Sequence, residues 1–298
     1  MDNTVDFLSN NSRKEVQTFS HWAHDYTDLP FAEHGFSMLL RVSNHEETCT
    51  ILFDTGNNPN GVVVNAKRMG IDLKEVSYIV LSHGHYDHFG GLKAIVKAID
   101  KIELPIIIHE DMIKRRGTGN NRGELREYTT FPNLERLSPA KIVNTKKPFL
   151  IANNLVCITG EIPRQMSFEK GLTKIKIYND NSWQPDPLVQ DDRALIVKIK
   201  NKGLVIISGC AHAGIINTIR YARQITGNSR VYAILGGFHL AGKEFEKRIE
   251  PTVEELKEIN PEFIIPSHYT GWRALISIAR AFPNNFVFNS VGNIYLFE

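Results

Sequence analysis

Residues 81–92 read LSHGHYDHFGGL and place His83, His85, Asp87 and His88 within six positions. Imidazole nitrogens and carboxylate oxygens are the donors that hold a divalent cation such as zinc at about 2.0–2.2 Å. In an extended chain His83 and His85 project to the same side. Asp87 and His88 then turn away from that pair, so four donors this close could serve two adjacent metals. A polar helix cap explains such crowding poorly, and a metal centre is the reading adopted. A cation held there would bring the pKa of water from about 16 to about 7 and polarise a phosphoryl or carbonyl oxygen. Irving–Williams preferences leave manganese and iron open beside zinc.

A second candidate lies in GLVIISGCAHAGIINTIRYA, residues 203–222. An apolar strand runs into Gly209-Cys210-Ala211-His212-Ala213-Gly214 and then into a helix. His212 is a candidate ligand. Cys210 is its rival, since a thiolate also binds zinc, or else a small buried filler. The helix N–H groups after Gly214 could face an anion. His239 follows another apolar strand in AILGGFHL. It could bind a substrate phosphate, shuttle a proton, or be a satisfied half-buried histidine. Arg164 stands three positions after Glu161 at a strand exit, where a guanidinium could grip phosphate bidentately. The alternative is a surface Arg164–Glu161 pair contributing under about 1 kcal/mol. Asp191 and Asp192 either line the mouth of a cleft or cap a turn.

These residues need elements to position them. Short β-branched runs predict strands at 36–42, 50–53, 78–81, 106–108, 155–159, 194–199, 204–208, 231–235, 263–266 and 294–297. Amphipathic spacing predicts helices at 61–69, 92–99, 215–225, 252–258 and 273–281. Hairpin-like pairs mixed with strand–helix units make the class α/β or α+β, with helices covering sheets. Residues 114–130 and 178–192 read as long loops, functional or solvated, and the arginines at 115, 116, 122 and 126 as a solvated face, with a mobile lid over an anionic ligand as the alternative.

The chain has 298 residues, a formal charge of +2, 42% hydrophobic and 23% charged residues, which excludes disordered, collagenous and coiled-coil classes. Near-zero charge counts against a nucleic-acid binder held by bulk charge. Three cysteines are too few for a disulfide framework and fit a reducing compartment. The polar N-terminus does not read as a signal peptide, and no run reaches about 18 apolar residues. Cytoplasm is the expected location, with no membrane partner.

His83, His85, Asp87 and His88 after a strand match H-x-H-x-D-H without departure, so the chain resembles the metallo-β-lactamase-fold superfamily. The resemblance implies an αββα sandwich, two mixed sheets flanked by helices, with one or two divalent metals at the sheet edge. It covers residues 31–298 as a single domain, with 1–30 as an N-terminal extension. It makes Asp54, at the end of Ile51-Leu52-Phe53-Asp54, a residue that orients a ligand histidine; capping the Asn57–Asn58 turn is the alternative. It also makes His268, in Ser267-His268-Tyr269-Thr270-Gly271, the last ligand. The implied metal set is His83, His85, Asp87, His88, His212 and His268. Asp87 and Asp54 are the catalytic candidates, and Arg164, His239 and Glu161 the substrate-binding ones.

The order of Glu33-His34-Gly35-Phe36-Ser37, LFDTG, LSHGHYDHFGGL, Gly160-Glu161-Ile162-Pro163-Arg164, SGCAHAGI, LGGFHL and SHYTG resembles one branch. That branch is typified by 7,8-dihydropterin-6-methyl-4-(β-D-ribofuranosyl)aminobenzene 5′-phosphate synthase, of methanopterin biosynthesis. It implies a hydrolase or transferase acting on a phosphorylated or pyrophosphorylated small molecule, an anionic partner, and leaves a homo-oligomer open. An iron-dependent oxygenase or oxidoreductase on the same fold is the alternative. Two departures stand out. Tyr269 replaces an expected cysteine. The superfamily's histidine between the first cluster and position 208 is absent apart from His109, so either Glu161 fills that position or it is empty.

Overall fold

The computed structural model describes residues 1–8, 11–22, 28–120, 122 and 124–298. Along the chain, β1 (Val16–Gln17) and α1 (Phe19–Trp22) precede the hairpin β2 (Met38–Ser43) and β3 (Thr48–Phe53). Then come α2 (Gly61–Arg68), β4 (Val76–Val80), α3 (Tyr86–Phe89), α4 (Leu92–Ile99) and β5 (Pro105–Ile108). Strands β6 (Arg116–Gly119), β7 (Leu125–Glu127), β8 (Lys141–Asn144), β9 (Phe149–Ile151), β10 (Val156–Ile158), β11 (Ile175–Asn179) and β12 (Ser182–Pro185) follow. The last part holds β13 (Ala194–Ile199), β14 (Gly203–Ser208), α5 (Ile215–Thr226), β15 (Val231–Gly236), α6 (Ile249–Ile259), β16 (Phe263–Pro266), α7 (Trp272–Ala281) and β17 (Ile294–Tyr295).

Two sheets face each other, ordered β2-β3-β4-β5-β8 and β16-β15-β14-β13-β10-β9. Alternating side chains explain the layers, because successive residues on a strand point to opposite faces. Ile51 and Phe53 of β3 meet Leu195, Ile207, Leu235 and Ile265 between the sheets. Leu52 and Ile79 turn outward onto Val62, Leu92 and Ile95 of α2 and α4. Ile206, Ile234 and Ile264 turn outward onto Ile219, Leu256 and Ile278 of α5, α6 and α7. The result is the αββα sandwich of two mixed sheets expected from the sequence.

Strands β3, β4 and β5 run parallel in one sheet, and β14, β15 and β16 in the other. The segments after β4, β14, β15 and β16 carry His83–His88, His212, His239 and His268. Carboxyl ends of parallel strands are where α/β sheets present ligand-binding loops.

The two segments expected as long loops instead contribute strands to a further sheet. β6, β7, β11 and β12 form an antiparallel sheet ordered β12-β11-β6-β7. Asp180 and Asn181 have φ of 48° and 60° and turn β11 into β12. Asn and Asp tolerate that left-handed backbone, which favours two-residue hairpins. Polar turn residues therefore masked short strands. The stretch read as an N-terminal extension is held onto the domain in its described part: β1 pairs with β17, and Asp2 and Phe19 are buried.

Candidate metal centre

His83 and His85 leave the end of β4 in extended chain, and α3 then swings Asp87 and His88 to another side. His83 Nε2 lies 3.0 Å from His85 Nδ1 and 3.0 Å from His212 Nε2, and His85 Nδ1 lies 3.1 Å from His212 Nε2. Three ring nitrogens thus form a triangle. An N–H points in one direction only, so hydrogen bonds cannot satisfy all three sides. Donors about 2.0–2.1 Å from one tetrahedral cation would be about 3.3 Å apart, close to the spacing observed. Burial, then the neighbouring imidazoles, holds His83 and His212 well below the usual histidine range. Burial and the Arg116 charge bring His85 down to about 4. All three are therefore neutral near pH 7, the state that can ligate a metal.

A second set adjoins the first. Asp87, His88 and His268 are buried, and His88 Nε2 has no hydrogen-bond partner among the described residues. His268 Nε2 lies 3.3 Å from Asp87 Oδ2. Asp54 Oδ2 lies 2.7 Å from His88 Nδ1 and accepts from Ser82 Oγ at 2.7 Å, while Oδ1 accepts from Ser82 N at 2.7 Å. This fixes the His88 ring and directs Nε2 away from Asp54. Burial disfavours charge on His88, but Asp54 and Asp87 outweigh it and raise its pKa. For Asp87 burial acts upward, yet His88 and His268 hold it well below the carboxylate range. A positive ion is favoured between these groups. Asp54 takes φ 61° to reach the position, a backbone strain typical of functional sites.

His34 was not among the residues picked out for a role, yet its Nε2 lies 3.4 Å from Asp87 Oδ2. Its block was visible in the sequence, but nothing local marked it as a donor. Cys210 Sγ lies within 4.8 Å of donor atoms of His83 and His88 and also of His212 and His239, so it sits between both sets. His239 Nδ1 is 3.1 Å from that sulfur, and its ring is 4.4 Å from that of His212. Burial, first, lowers His239 to about 3.

Two aspartates brace the loops. Asp191 accepts from Gly84 N at 2.7 Å and from Arg116 Nη1 and Nη2 at 2.7 and 2.6 Å. Asp192 accepts from Ala213 N at 2.7 Å. One aspartate thus holds the His83–His85 strap and the other holds the His212 loop. A Cβ at Gly84 would stand 2.6 Å from Arg116 Nη1 and 2.7 Å from Met112 Cα. Arg116, expected on a solvated face, is buried.

Two residues and one helix terminus expected to meet substrate or metal are engaged within the protein. Arg164 donates to the carbonyls of Ile162, Leu188 and Val189, so its guanidinium clips the 188–189 segment in place. The start of α5, expected to face an anionic substrate, already holds a carboxylate. Glu169 accepts from Ile216 N at 3.0 Å and Asn217 N at 2.7 Å. Glu161 Oε1 lies 3.0 Å from His109 Nε2 rather than in any of the donor groups that could hold a metal among the described residues.

The fold and the histidine-aspartate cluster point to one class, and comparison agrees. A family model described as the metallo-beta-lactamase superfamily matches residues 31–166, and the chain belongs to that superfamily. It is 33% identical, over 92% of its length and 95% of the relative's, to 7,8-dihydropterin-6-methyl-4-(beta-D-ribofuranosyl)-aminobenzene-5'-phosphate synthase of Methanocaldococcus jannaschii. It is also 33% identical to an uncharacterized protein of that organism, MJ0448, covering 89% of this chain and 93% of the relative. Among solved structures, Tm1679, a metal-dependent hydrolase of the beta-lactamase superfamily, shares the fold. The TM-score is 0.72 at 24% identity, covering 90% of this chain and 94% of that one.

Proposed function

We propose that the chain is a metal-dependent enzyme that acts on a phosphorylated or pyrophosphorylated small molecule. The specific reaction proposed is condensation of a dihydropterin diphosphate ester with an aminobenzene ribofuranosyl phosphate. The bond from the pterin methylene carbon to the diphosphate oxygen breaks, and a bond to the aminobenzene partner forms. Pyrophosphate leaves, and the nucleophile gives up a proton. The observation that carries the reading is the triangle of His83, His85 and His212 nitrogens beside Asp87, His88 and His268, together with the relative's synthase name. His83, His85 and His212 would hold one divalent ion, most simply zinc, and Asp87, His88 and His268 a second. Such ions supply Lewis acidity towards phosphoryl oxygens and water.

Two further features support this substrate class. Tyr269 stacks on His239 at 4.8 Å with a 13° interplanar angle, and Tyr86 and Tyr128 stand 5.9 Å apart beside His85. Such rings suit a flat aromatic substrate. A cavity of 460 Å³ is lined by Lys174, Lys243, Lys247 and Phe245, and the Phe245 ring is 4.7 Å from His239. Glu244 in that lining is engaged by Thr173 Oγ1. This lysine cleft, rather than Arg164, would take the anionic end.

The test is a panel of phosphoesters, the two pterin-pathway substrates, and a dioxygen-uptake control, with pyrophosphate release as the readout. Pyrophosphate release dependent on both substrates supports the synthase reading. Hydrolysis of phosphoesters without condensation replaces it with a hydrolase, and substrate-dependent dioxygen uptake overturns both. Lys243→Glu with Lys247→Glu should raise KM by more than it lowers kcat, because a remote anion grip is mostly uniform binding. An unchanged KM would remove the cleft from the substrate site.

A further inference from the structure

We propose that His34 is a ligand of the second metal position, beside Asp87, His88 and His268. The proposal rests on the reading of the cluster as a two-metal centre. His34 Nε2 and His268 Nε2 lie 3.4 and 3.3 Å from the same Asp87 oxygen, and all three donor atoms fall within 4.8 Å of one another. Charge-assisted hydrogen bonds to carboxylate run about 2.7–2.9 Å. The observed distances are too long for that and match the spacing of about 3.3 Å between two donors sharing a tetrahedral zinc. A common cation accounts for the geometry better than direct pairing.

The loop that presents His34 is clamped on both sides. The Glu33 carboxylate accepts from Asn57 N at 2.8 Å and Asn58 N at 3.1 Å. Phe36 N donates to Asp87 O at 3.1 Å, and Ser37 Oγ donates to Asp54 O at 2.8 Å. A Cβ at Gly35 would stand 2.6 Å from Asn57 N and 3.0 Å from Asp87 O, so glycine permits this close approach. The His34 side chain, 47% exposed, is thereby fixed on the solvent side of Asp87 and His268. With His34 the second position has four protein donors and is closed. The first, with His83, His85 and His212, keeps one place open, the pattern of a catalytic rather than a structural zinc. Substrate therefore meets the first position, on the side of His239, whose ring lies 4.4 Å from that of His212.

Zinc alone is the probe, titrated into the metal-stripped full chain against a chromophoric chelator. Wild type is expected to take up two equivalents. His34→Ala and His34→Gln should take up the first with wild-type affinity and the second more than about tenfold more weakly, since losing even an outer orienting partner costs 10–100-fold. Two equivalents at wild-type affinity in both variants would overturn the proposal alone. Equal weakening of both equivalents, with thermal melting unchanged, would also overturn it. Fewer than two equivalents in wild type would overturn the two-metal reading and this proposal with it.

Discussion

At the scale of single residues, the site depends on which atom of each imidazole is free. Asp54 binds His88 Nδ1 and Ser82 Oγ lies 2.9 Å from His83 Nδ1, which leaves both Nε2 atoms for a cation. Asp54→Asn keeps the shape but removes the charge that favours a positive group at His88. Metal affinity at the second position is expected to fall about 10–100-fold, measured by chelator competition, with the first position little changed. The same assay separates His212 from Cys210. His212→Ala should lose the first equivalent, whereas Cys210→Ala should retain it; the reverse pattern would make the thiolate the ligand. The H-x-H-x-D-H donors were legible because they are neighbours in sequence. His34 was not, because the oxygen it faces belongs to a distant segment and only folding brings them together.

At the scale of elements, supports are as informative as donors. Helix α5 follows the His212 loop, and its first N–H groups are capped by Glu169 from a separate segment. Burial raises the Glu169 carboxyl from 4.5 to about 7, with the Ile216 and Asn217 N–H bonds acting against the shift. A carboxyl whose folded pKa is raised binds more protons folded than unfolded between those values. Its contribution to stability is full below about pH 4.5 and is lost as pH rises to about 7. Glu169→Gln should abolish this part of the decline, so variant and wild-type melting temperatures should converge or cross as pH rises from 4.5 to 7. Parallel curves would contradict the assignment. No local signal marked Glu169, because a helix cap is usually sought in the residue just before the helix. The sheet of β6, β7, β11 and β12 was hidden for a different reason: its strands are short and their turns are rich in Asn, Asp and Gly. Those strands matter, since Arg116 at the start of β6 holds Asp191, and Asp191 holds Gly84.

At the scale of the whole molecule, the two sheets converge on one edge. His83, His85, Asp87 and His88 come from the end of β4 in one sheet, and His212 and His268 from the ends of β14 and β16 in the other. A metal pair held there would tie the halves of the sandwich together. Helices layered on sheets were legible from the alternation of strand and helix patterns, because apolar periodicity directly reports which face is buried, whereas the sandwich itself followed from the resemblance carried by His83, His85, Asp87 and His88. The lysine cleft proposed for the anionic group was not legible, since exposed Lys174 is about 70 positions from Lys243 and Lys247 and joins them only through the fold. The most direct test of the metal centre is anomalous X-ray diffraction from crystals of protein purified without added metal. Two peaks about 3.5–4 Å apart are expected, one among His83, His85 and His212 and the other among Asp87, His88 and His268. An active protein with no anomalous peak at this cluster, or with its metal held elsewhere, such as between His109 and Glu161, would contradict the account.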